Sequence, residues 1–275
     1  MLVFIIPLQS QASAQSWAKV GLLFERCLKS VCAQTSDRFR VIVVCNDLPA
    51  ISFEHPHVEY VCVNYPLPLH ERGRSAAETK LIIGHTDKGR KILRGLVEAQ
   101  KHAPTHTMVV DADDCVSHRL AAFVAQHPTR NGWVVDRGYR YPEGNTQIYF
   151  KRRKFHEMCG TCNILRYDLN YLPQQPEYDR GYGYYTYYID HEKVRGVLAN
   201  YGTPLKRLPF VGAVYVVGTG ENLYYDERRL SQSFLTRFNY RRLTPRVRAE
   251  FGLYPLKVGR VLDPMLIGPT GPRRV

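Results

Sequence analysis

The chain has 275 residues, enough for one large α/β domain or two closely packed halves around a substantial core. Its composition, 44% hydrophobic and 23% charged, is ordinary for a globular protein, and no apolar run reaches the roughly 18 residues of a membrane-spanning helix. The formal net charge of +13 implies anionic partners or a strongly positive surface. Nucleotide diphosphates, acidic glycans, nucleic acid and anionic lipid are the candidate anions.

Two further features favour a cytoplasmic protein. The opening LVFIIP run is too short for a signal-peptide core and is better explained as a buried first strand. The seven cysteines are odd in number, and most lie in apolar or helical patterns that suit reduced thiols. Cys159 and Cys162 form a CxxC pair, but no second pair completes a zinc site, so we expect free thiols there as well.

The first part of the chain alternates strand and helix patterns. The run at 2–7 is followed by apolar residues at helical spacing from Trp17 to Val31, and 40–45 supplies a β-branched run without alternation. Further patterns predict a strand at 58–63, a helix at 88–102 and a strand at 107–110. This alternation is typical of a doubly wound α/β unit with a mostly parallel sheet, which binds ligands beyond the carboxyl ends of its strands.

The pattern changes after Ser117. Residues 132–142 and 146–150 favour antiparallel strands, and tyrosines crowd between 178 and 188. Later segments predict a helix at 190–200, a strand at 208–217 and a basic helix at 226–251. The second part is therefore organised differently from the first.

Three carboxylates emerge together where an apolar strand ends, in MVVDADDCVS. Asp111, Asp113 and Asp114 repel one another, and a hard divalent cation such as Mg²⁺ or Mn²⁺ relieves that repulsion and bridges diphosphate oxygens. Two other interpretations stay open. Asp114 or Ser117 is also suited to capping the next helix. A phosphatase-type aspartyl nucleophile is the other, although Cys115 stands where that signature expects Thr or Val.

Four stretches within residues 1–125 form one combined pattern: IIPLQS, RCLKSVCAQTSDRFRVIVVCND, DKGRKILRGLVEAQ and MVVDADDCVS. Together they resemble the family-2 glycosyltransferases. The resemblance implies an α/β fold of the GT-A type: a Rossmann-like, mostly parallel central sheet with helices on both faces, plus a smaller antiparallel region on the acceptor side. It also implies a metal-dependent glycosyltransferase, of the inverting type, that moves a sugar from a nucleotide-diphosphate donor to an acceptor hydroxyl.

The resemblance places the donor site at residues that follow the strands. The base and ribose are flanked by Pro7, Gln9, Asn46 and Asp47, and the ribose and metal by Asp111 and Asp113. Asp113 is the first-choice ligand for Mn²⁺ or Mg²⁺, and a UDP-sugar is the expected donor. The chain departs from the family at VCND, because Cys45 and Asn46 stand where a pair of aspartates is commoner.

Cations before the aspartate strand are candidates for binding the diphosphate through charge-assisted hydrogen bonds: Lys88, Arg90 and Arg94. A solvated basic helix face explains the same residues equally well. Arg72 and Arg74, on a loop that would close over the donor, are similar candidates.

Inverting transfer needs a base that takes the acceptor hydroxyl's proton while the nucleotide diphosphate leaves. Family members carry an acidic pair at the start of a helix ending in Gly, and YYIDHEKVRGVLANYG offers Asp190 and His191 at that place. Either Asp190 is the base and His191 a third metal ligand, or His191 is the base and Asp190 orients it. A simple helix cap at Asp190 is the structural alternative.

We expect the acceptor to be a glycan, a lipid-linked sugar or a small molecule, with the tyrosines at 178–188 stacking on sugar faces or packing in the core. Residues 1–125 then form the nucleotide-sugar-binding half, 126–220 the acceptor-binding and catalytic half, and 221–275 a basic helical extension and tail. That extension is suited to peripheral contact with an anionic membrane, or is an ordinary solvated surface.

Two other functional classes stay open. One is a basic nucleic-acid- or glycan-binding protein, although no helix-turn-helix, zinc-finger or RNA-binding signature is present and we expect no specific nucleic-acid partner. The other is a nucleotidyltransferase on a similar α/β fold. Such enzymes usually open with a Gly-rich basic loop after the first strand, where this chain has LQSQASAQS.

Overall fold

The computed structural model describes residues 1–68, 75–221 and 238–256. The candidates Arg72 and Arg74 therefore lie outside the described residues. The strands are β1 Leu2–Pro7, β2 Phe39–Cys45, β3 Val58–Cys62, β4 His106–Val109, β5 Cys115–Val116, β6 Gly132–Val134, β7 Gly138–Pro142, β8 Gln147–Lys151, β9 Asn163–Arg166, β10 Lys206–Arg207, β11 Ala213–Val217 and β12 Tyr240–Arg242. The helices are α1 Trp17–Cys32, α2 Ala76–Ala99, α3 Leu120–Ala125, α4 Thr186–Ile189, α5 His191–Asn200 and α6 Pro245–Phe251.

The larger sheet has seven strands in the order β10-β6-β9-β4-β1-β2-β3. Strand β1 lies parallel to β2 and β4, with Leu2 opposite Phe39 and His106, and β2 lies parallel to β3. Strand β9 is antiparallel to both of its neighbours. The carboxyl ends of β1, β2 and β4 consequently meet at one edge of the sheet.

Strand β1 is buried on both faces because helices cover the sheet from both sides. Phe4 and Ile6 pack in the cluster that contains α1 and α3, whereas Val3 and Ile5 pack in the cluster that contains α2. Alternate side chains of a strand point to opposite faces, so an unbroken apolar run is what this position requires. Each such side chain contributes roughly 1.5–3 kcal/mol when fully buried.

The smaller sheet has five strands in the order β12-β8-β7-β11-β5. Strands β7 and β8 form an antiparallel hairpin, and β11 runs parallel to β7. At the two ends of the sheet, β12 pairs antiparallel with β8 and β5 pairs antiparallel with β11. The chain passes from the larger to the smaller sheet between β4 and β5, through the aspartate segment. The two sheets together confirm the predicted GT-A arrangement.

Helix α2 is longer than predicted, since it begins at Ala76 rather than at 88. Ser75 accepts a hydrogen bond from the Glu78 backbone, and the Glu78 carboxylate accepts one from the Ser75 backbone. This capping box satisfies amide groups that would otherwise have no partner at the first turn. Residues 76–87, which lie before the predicted helix, are therefore also helical.

Two other segments differ from prediction. The segment 132–142 divides into β6 of the larger sheet and β7 of the smaller one. Tyr240–Arg242 is a strand rather than part of a helix, because it completes the edge of the smaller sheet beside β8. Of the predicted C-terminal extension at 221–275, the structure describes residue 221 and residues 238–256, which include α6. Among the described helices, none has the length and apolarity needed to cross a membrane.

Candidate active-site cleft

A cleft of about 1320 Å³ lies at the carboxyl edge of the parallel strands. It is walled by the end of β1, by α2, by the segment after β4 and by the start of α5. The predicted site residues among its lining are Pro7, Gln9, Lys88, Asp111, Asp113, Asp190 and His191. These seven come from four separate parts of the sequence, and the fold brings them to one cleft.

The three aspartates have different environments. Asp111 and Asp113 line the cleft, whereas the buried Asp114 accepts hydrogen bonds from Thr161 Oγ1 at 2.6 Å and from the Val216 amide at 3.1 Å. Asp114 therefore fixes the segment to β11 and to the turn before β9, and it does not cap α3. Burial and the charge of Asp111 raise the pKa of Asp113 to about 7. The negative charge of Asp111 disfavours the ionised form of Asp113, and a nearby cation favours it.

Lys88 supplies one such cation. Its ammonium nitrogen lies 2.5 Å from Oδ1 of Asp111, and both side chains are about three-quarters buried. The charge of Asp111 raises the pKa of Lys88 despite desolvation by burial, which lowers it. The pair rests on Gly160, where an added methyl group would stand 2.8 Å from Asp111 Oδ2 and 3.2 Å from Lys88 Nζ. A glycine at this position gives the ion pair its space.

A second lysine of α2, Lys91, also lines the cleft, although the sequence did not identify it as a site residue. Lys91 is fully buried, and its ammonium group donates to the Leu8 carbonyl at 2.8 Å and pairs with Asp87 at 2.7 Å. The signal was available, because residues three apart lie on the same side of a helix and Lys91 follows Lys88 by three. Burial lowers the pKa of Lys91, and the carboxylate of Asp87 opposes that effect.

The two predicted arginines of α2 lie outside the described lining of the cleft. Arg90 pairs with Asp87 at 2.7 Å, and its guanidinium carbon lies 4.8 Å from the centre of the Tyr65 ring. Arg94 pairs with Glu98 at 2.5 Å. Both guanidinium groups are thus engaged within the protein, on a different side of α2 from Lys88.

Asn46 and Asp47, at the end of β2, also lie outside the described lining. The Asn46 side-chain amide donates to the Tyr65 carbonyl at 2.8 Å, and Asp47 accepts from the Gln11 amide at 2.8 Å. Glu221 holds the same loop from the other side, accepting from the amides of Gln15 and Ser16. The contacts of Asp47 and Glu221 shape the loop that follows Pro7 and carries Gln9, whereas Asn46 is bonded to the segment after β3.

A ring nitrogen of His191 can accept a proton or bind a metal ion. Burial and the charge of Lys88 lower its pKa, so the neutral imidazole is favoured, while a backbone hydrogen bond to Ile189 opposes this. Within the described residues, the buried Nε2 has no hydrogen-bond partner. We therefore assign the bond to Ile189 to Nδ1, which leaves the lone pair on Nε2. The Asn163 side chain donates to the His191 carbonyl at 3.0 Å and fixes the backbone.

Asp190 occupies the N-cap position of α5 without capping it. Among the described contacts, its carboxylate makes no hydrogen bond to the first turn and instead pairs with Lys193 at 2.5 Å. Both side chains line the cleft. The carboxylate is thus held toward the site rather than toward the helix backbone.

The predicted tyrosine cluster serves mainly as core. Tyr185 is fully buried against Leu93 and Ile189, and Gly89 lies against it so closely that an added methyl group would stand 2.4 Å from its Cβ. Tyr182 does line the cleft, where its ring stacks on His85 with centroids 5.7 Å apart. Arg140 and Tyr215 of the smaller sheet also line the cleft, and neither was predicted.

The donor set fits a divalent cation bound together with a phosphate ligand. No group of three or more His, Cys, Asp or Glu side chains in the described ranges stands ready as a complete metal site. Mg²⁺, however, is commonly held by one or two carboxylates plus substrate phosphates rather than by an all-protein cage. Asp111 and Asp113 supply that pair of carboxylates.

Comparisons with known proteins leave the family open. No family model matches this chain, and neither does any curated protein. Among solved structures, S. aureus TarS aligns over 78% of this chain with 13% identity and a TM-score of 0.40, and this chain spans 36% of the TarS chain. The structure of TarS residues 1–349 in complex with UDP gives 12% identity and a TM-score of 0.40, and the alignment covers 78% of this chain and 60% of that one.

Two other solved structures give comparable identities and TM-scores. The 2-C-methyl-D-erythritol 4-phosphate cytidylyltransferase IspD of Francisella tularensis gives 11% identity and a TM-score of 0.36, covering 83% of this chain and 95% of its own. HddC of Yersinia pseudotuberculosis gives 14% identity and a TM-score of 0.33, covering 78% and 88%. What the cleft of this chain binds therefore has to follow from its own residues.

Proposed function

We propose that this protein is a metal-dependent, inverting glycosyltransferase that moves a sugar from a nucleotide-diphosphate donor to an acceptor hydroxyl. One observation carries the proposal: Asp111 and Asp113 line the same cleft as Lys88 and His191, and the buried Nε2 of His191 has no hydrogen-bond partner within the described residues. This combination offers a cation site, a charge for a diphosphate and a base within one cavity. We propose that the protein belongs with the family-2 enzymes that its sequence resembles.

The donor side is formed by the loop after β1, by α2 and by the two aspartates. Asp111 and Asp113 would hold Mn²⁺ or Mg²⁺, which when bound supplies Lewis-acid stabilisation of the departing diphosphate. Lys88 is the cation placed to interact with the diphosphate, since Arg90 and Arg94 are engaged elsewhere. Lys91 is fully buried between Asp87 and the Leu8 carbonyl and adds its positive charge from behind the cleft lining. A buried ammonium group interacts with phosphate far more strongly than one in water.

The nucleoside would lie at the loop after β1. Pro7 and Gln9 line the cleft directly, and Asp47 acts on the nucleoside site through its bond to Gln11 in the loop after β1. Asn46 acts through the segment after β3, where it donates to the Tyr65 carbonyl. A uridine nucleotide is the first donor to test.

The acceptor side is formed by α5 and the smaller sheet. In our proposal Nε2 of His191 takes the proton of the acceptor hydroxyl as that oxygen forms its bond to the anomeric carbon of the sugar. The bond from that carbon to the diphosphate breaks in the same step, and the nucleotide diphosphate leaves with the electron pair. A neutral imidazole with a free lone pair suits this role near pH 7. Asp190 then stabilises the imidazolium that forms, as a nearby carboxylate.

A ligand screen by thermal denaturation tests the function. UDP, GDP, CDP, ADP and TDP are each added with and without Mn²⁺, because a ligand that binds only the folded state raises the melting temperature. Stabilisation by one nucleotide that requires Mn²⁺, followed by turnover of the corresponding nucleotide sugar, supports the proposal. Asp113→Asn should lose the stabilisation that requires Mn²⁺, and Glu157→Gln, at an acidic residue of the same lining outside the aspartate segment, is the matched control and should keep it.

The same screen identifies the rival classes. Salt-sensitive binding to mixed nucleic acid with no nucleotide response would indicate a nucleic-acid-binding protein. Release of pyrophosphate from a nucleoside triphosphate and a sugar 1-phosphate would indicate a nucleotidyltransferase. Either result would replace the glycosyltransferase proposal.

A further inference from the structure

Two of the seven cysteines lie directly opposite each other on neighbouring parallel strands. Cys45 is the last residue of β2, Cys62 is the last residue of β3, and the register pairs one with the other. Such partners lie on the same face of a sheet with their Cα atoms about 4.8 Å apart, and a disulfide usually joins Cα atoms about 4.4–6.8 Å apart. The two thiols already contact each other through a hydrogen bond between their side chains. The backbone spacing therefore allows a disulfide without moving the strands apart.

The two thiols differ in their access to solvent. Cys45 is buried on the face of the sheet that packs against α1, whereas Cys62 is exposed. Burial, with a smaller contribution from the neighbouring thiol, raises the pKa of Cys45 to about 12, so this thiol is protonated near neutral pH. An oxidant from solution consequently reacts with Cys62 first, because the reaction requires an accessible sulfur.

The other five cysteines, all within the described residues, are buried. They include the CxxC pair Cys159 and Cys162, whose pKa values burial raises well above the usual value. The thiol of Cys159 also donates to the Asp114 carboxylate at 3.2 Å. Buried, protonated thiols react slowly with oxidants. The seven cysteines thus offer one place where an accessible sulfur lies against a second sulfur.

We propose that Cys45 and Cys62 are a modification site at which a hydroperoxide forms a reversible disulfide. The Cys62 sulfur first takes the terminal hydroxyl of the peroxide, the O–O bond breaks, and the thiol proton goes to the departing oxygen; Cys62 becomes a sulfenic acid. The Cys45 sulfur then attacks the sulfenic sulfur and the S–O bond breaks. The departing hydroxide takes the Cys45 proton and leaves as water. The two thiols together lose two electrons, and one peroxide gains them.

The chain continues from Cys45 into two residues that hold segments beside the cleft. Asn46 donates to the Tyr65 carbonyl, and Asp47 accepts from the Gln11 amide in the loop after β1. A disulfide brings its sulfurs to about 2.05 Å, which is closer than two hydrogen-bonded thiols, so both strand ends must adjust. Resting on the proposed glycosyltransferase function, we expect the oxidised protein to bind nucleotide about fivefold more weakly, because these contacts hold the proposed nucleoside site.

Oxidation of the reduced protein, followed by peptide mapping, tests the modification. The protein is treated with hydrogen peroxide, the remaining thiols are alkylated in denaturant, and the chain is digested without reductant. We expect a pair of peptides joined through Cys45 and Cys62 that dithiothreitol separates, while Cys159 and Cys162 are recovered alkylated. Dimedone, which traps sulfenic acids, should label Cys62 when it is present during oxidation.

Substitution of each thiol checks its role. Cys62→Ser should form no bridge and leave Cys45 alkylatable, because the accessible sulfur is gone. Cys45→Ser should form no bridge but retain dimedone labelling at Cys62. Cys32→Ser, which removes another buried thiol packed against the same core, is the matched control and should form the bridge as the wild type does. If Cys45→Ser does not fold, Cys62→Ser and the trapping of the wild-type protein decide.

Recovery of Cys45 and Cys62 as alkylated thiols after peroxide treatment, or a bridge between other cysteines, would overturn the assignment. Nucleotide affinity is measured in the reduced, oxidised and re-reduced protein, with Cys62→Ser treated in parallel. Equal affinity in the reduced and the fully bridged protein would overturn the expected effect on the nucleoside site. A reduced protein that binds no nucleotide would instead count against the glycosyltransferase function, since the disulfide is detected by mass alone.

Discussion

The ammonium group of Lys88 lies 2.5 Å from Oδ1 of Asp111, so an internal cation already neutralises one of the two carboxylates proposed to hold a metal. In the proposed function, Lys88 and a metal ion would compete for Asp111 until a diphosphate brought enough negative charge for both. The pair links helix α2 to the end of β4, and it would couple the proposed donor-binding side of the cleft to the aspartates.

Replacing Lys88 should separate metal binding from nucleotide binding. We expect Lys88→Met to bind Mn²⁺ alone about fivefold more tightly, equivalent to about 1 kcal/mol for a partly exposed ion pair, because the competing ammonium group is gone. The same variant should bind the nucleotide with Mn²⁺ more weakly. Titration calorimetry measures both, with Lys80→Met on the same wall as the control. Unchanged Mn²⁺ affinity in Lys88→Met would show that the two cations do not share a site.

Gly160→Ala should disturb the same ion pair, because Gly160 lies against both of its side chains. The added methyl group would stand 2.8 Å from Asp111 Oδ2, which is closer than side-chain carbons approach in folded proteins. We expect weaker nucleotide binding in the presence of Mn²⁺, by about tenfold, with the fold retained. Gly181→Ala is the control, because no described atom lies within 4 Å of a Cβ there. Equal affinities in the two variants would show that the position of the Lys88–Asp111 pair is unimportant for binding.

His191 and Asp190 should affect catalysis far more than binding. We expect His191→Asn to leave nucleotide affinity within about twofold and to lower kcat by about 10²–10⁴, the usual contribution of a general base. Asp190→Asn should lower kcat less, since it acts on the imidazole by charge. The reverse outcome, in which His191→Asn weakens Mn²⁺ binding and Asp190→Asn abolishes transfer, would make Asp190 the base and His191 a metal ligand.

Stability should fall in mild acid because His106 is buried without charge. Burial lowers its pKa to about 4, and its Nε2 donates to the Arg130 carbonyl at 2.8 Å. The unfolded chain binds a proton near pH 6.5 and the folded protein near pH 4, so this contribution is complete above pH 6.5 and is lost as the pH falls toward 4. The loss is about 1.4 kcal/mol per pH unit in that window.

Urea denaturation between pH 7.5 and 5 measures the effect. His106→Gln keeps a hydrogen-bond donor and has no proton to gain, so its free energy of unfolding should depend less on pH than that of the wild type. Identical pH dependence in both proteins would show that His106 does not contribute.

Much of the fold follows from local pattern. The unbroken apolar runs of β1 and β2 identified strands covered on both faces, and the spacing of apolar residues identified α1. The start of α2 was missed although its signal was present, since Ser75 and Glu78 form the Ser-x-x-Glu pattern of a capping box. Strand β12 was missed because Tyr240–Arg242 is short and exposed, and only its pairing with β8 makes it a strand.

The sequence predicts the cleft residues that directly follow a strand. It does not predict those whose position depends on which strands pair. Asp111 and Asp113 follow β4, so their place at the sheet edge was predictable. Arg140 reaches the cleft because β7 pairs with β11, and that register is a tertiary property. The choice between Arg90 and Lys91 likewise depends on which side of α2 faces the cleft.

The most direct test of the central claim is a crystal of the protein soaked with Mn²⁺ and the selected nucleotide diphosphate, with data collected at the manganese absorption edge. We predict an anomalous peak within coordination distance of Asp111 or Asp113 that also contacts the diphosphate, with Lys88 moved toward the phosphates. A bound nucleotide with no anomalous signal beside these aspartates would contradict it.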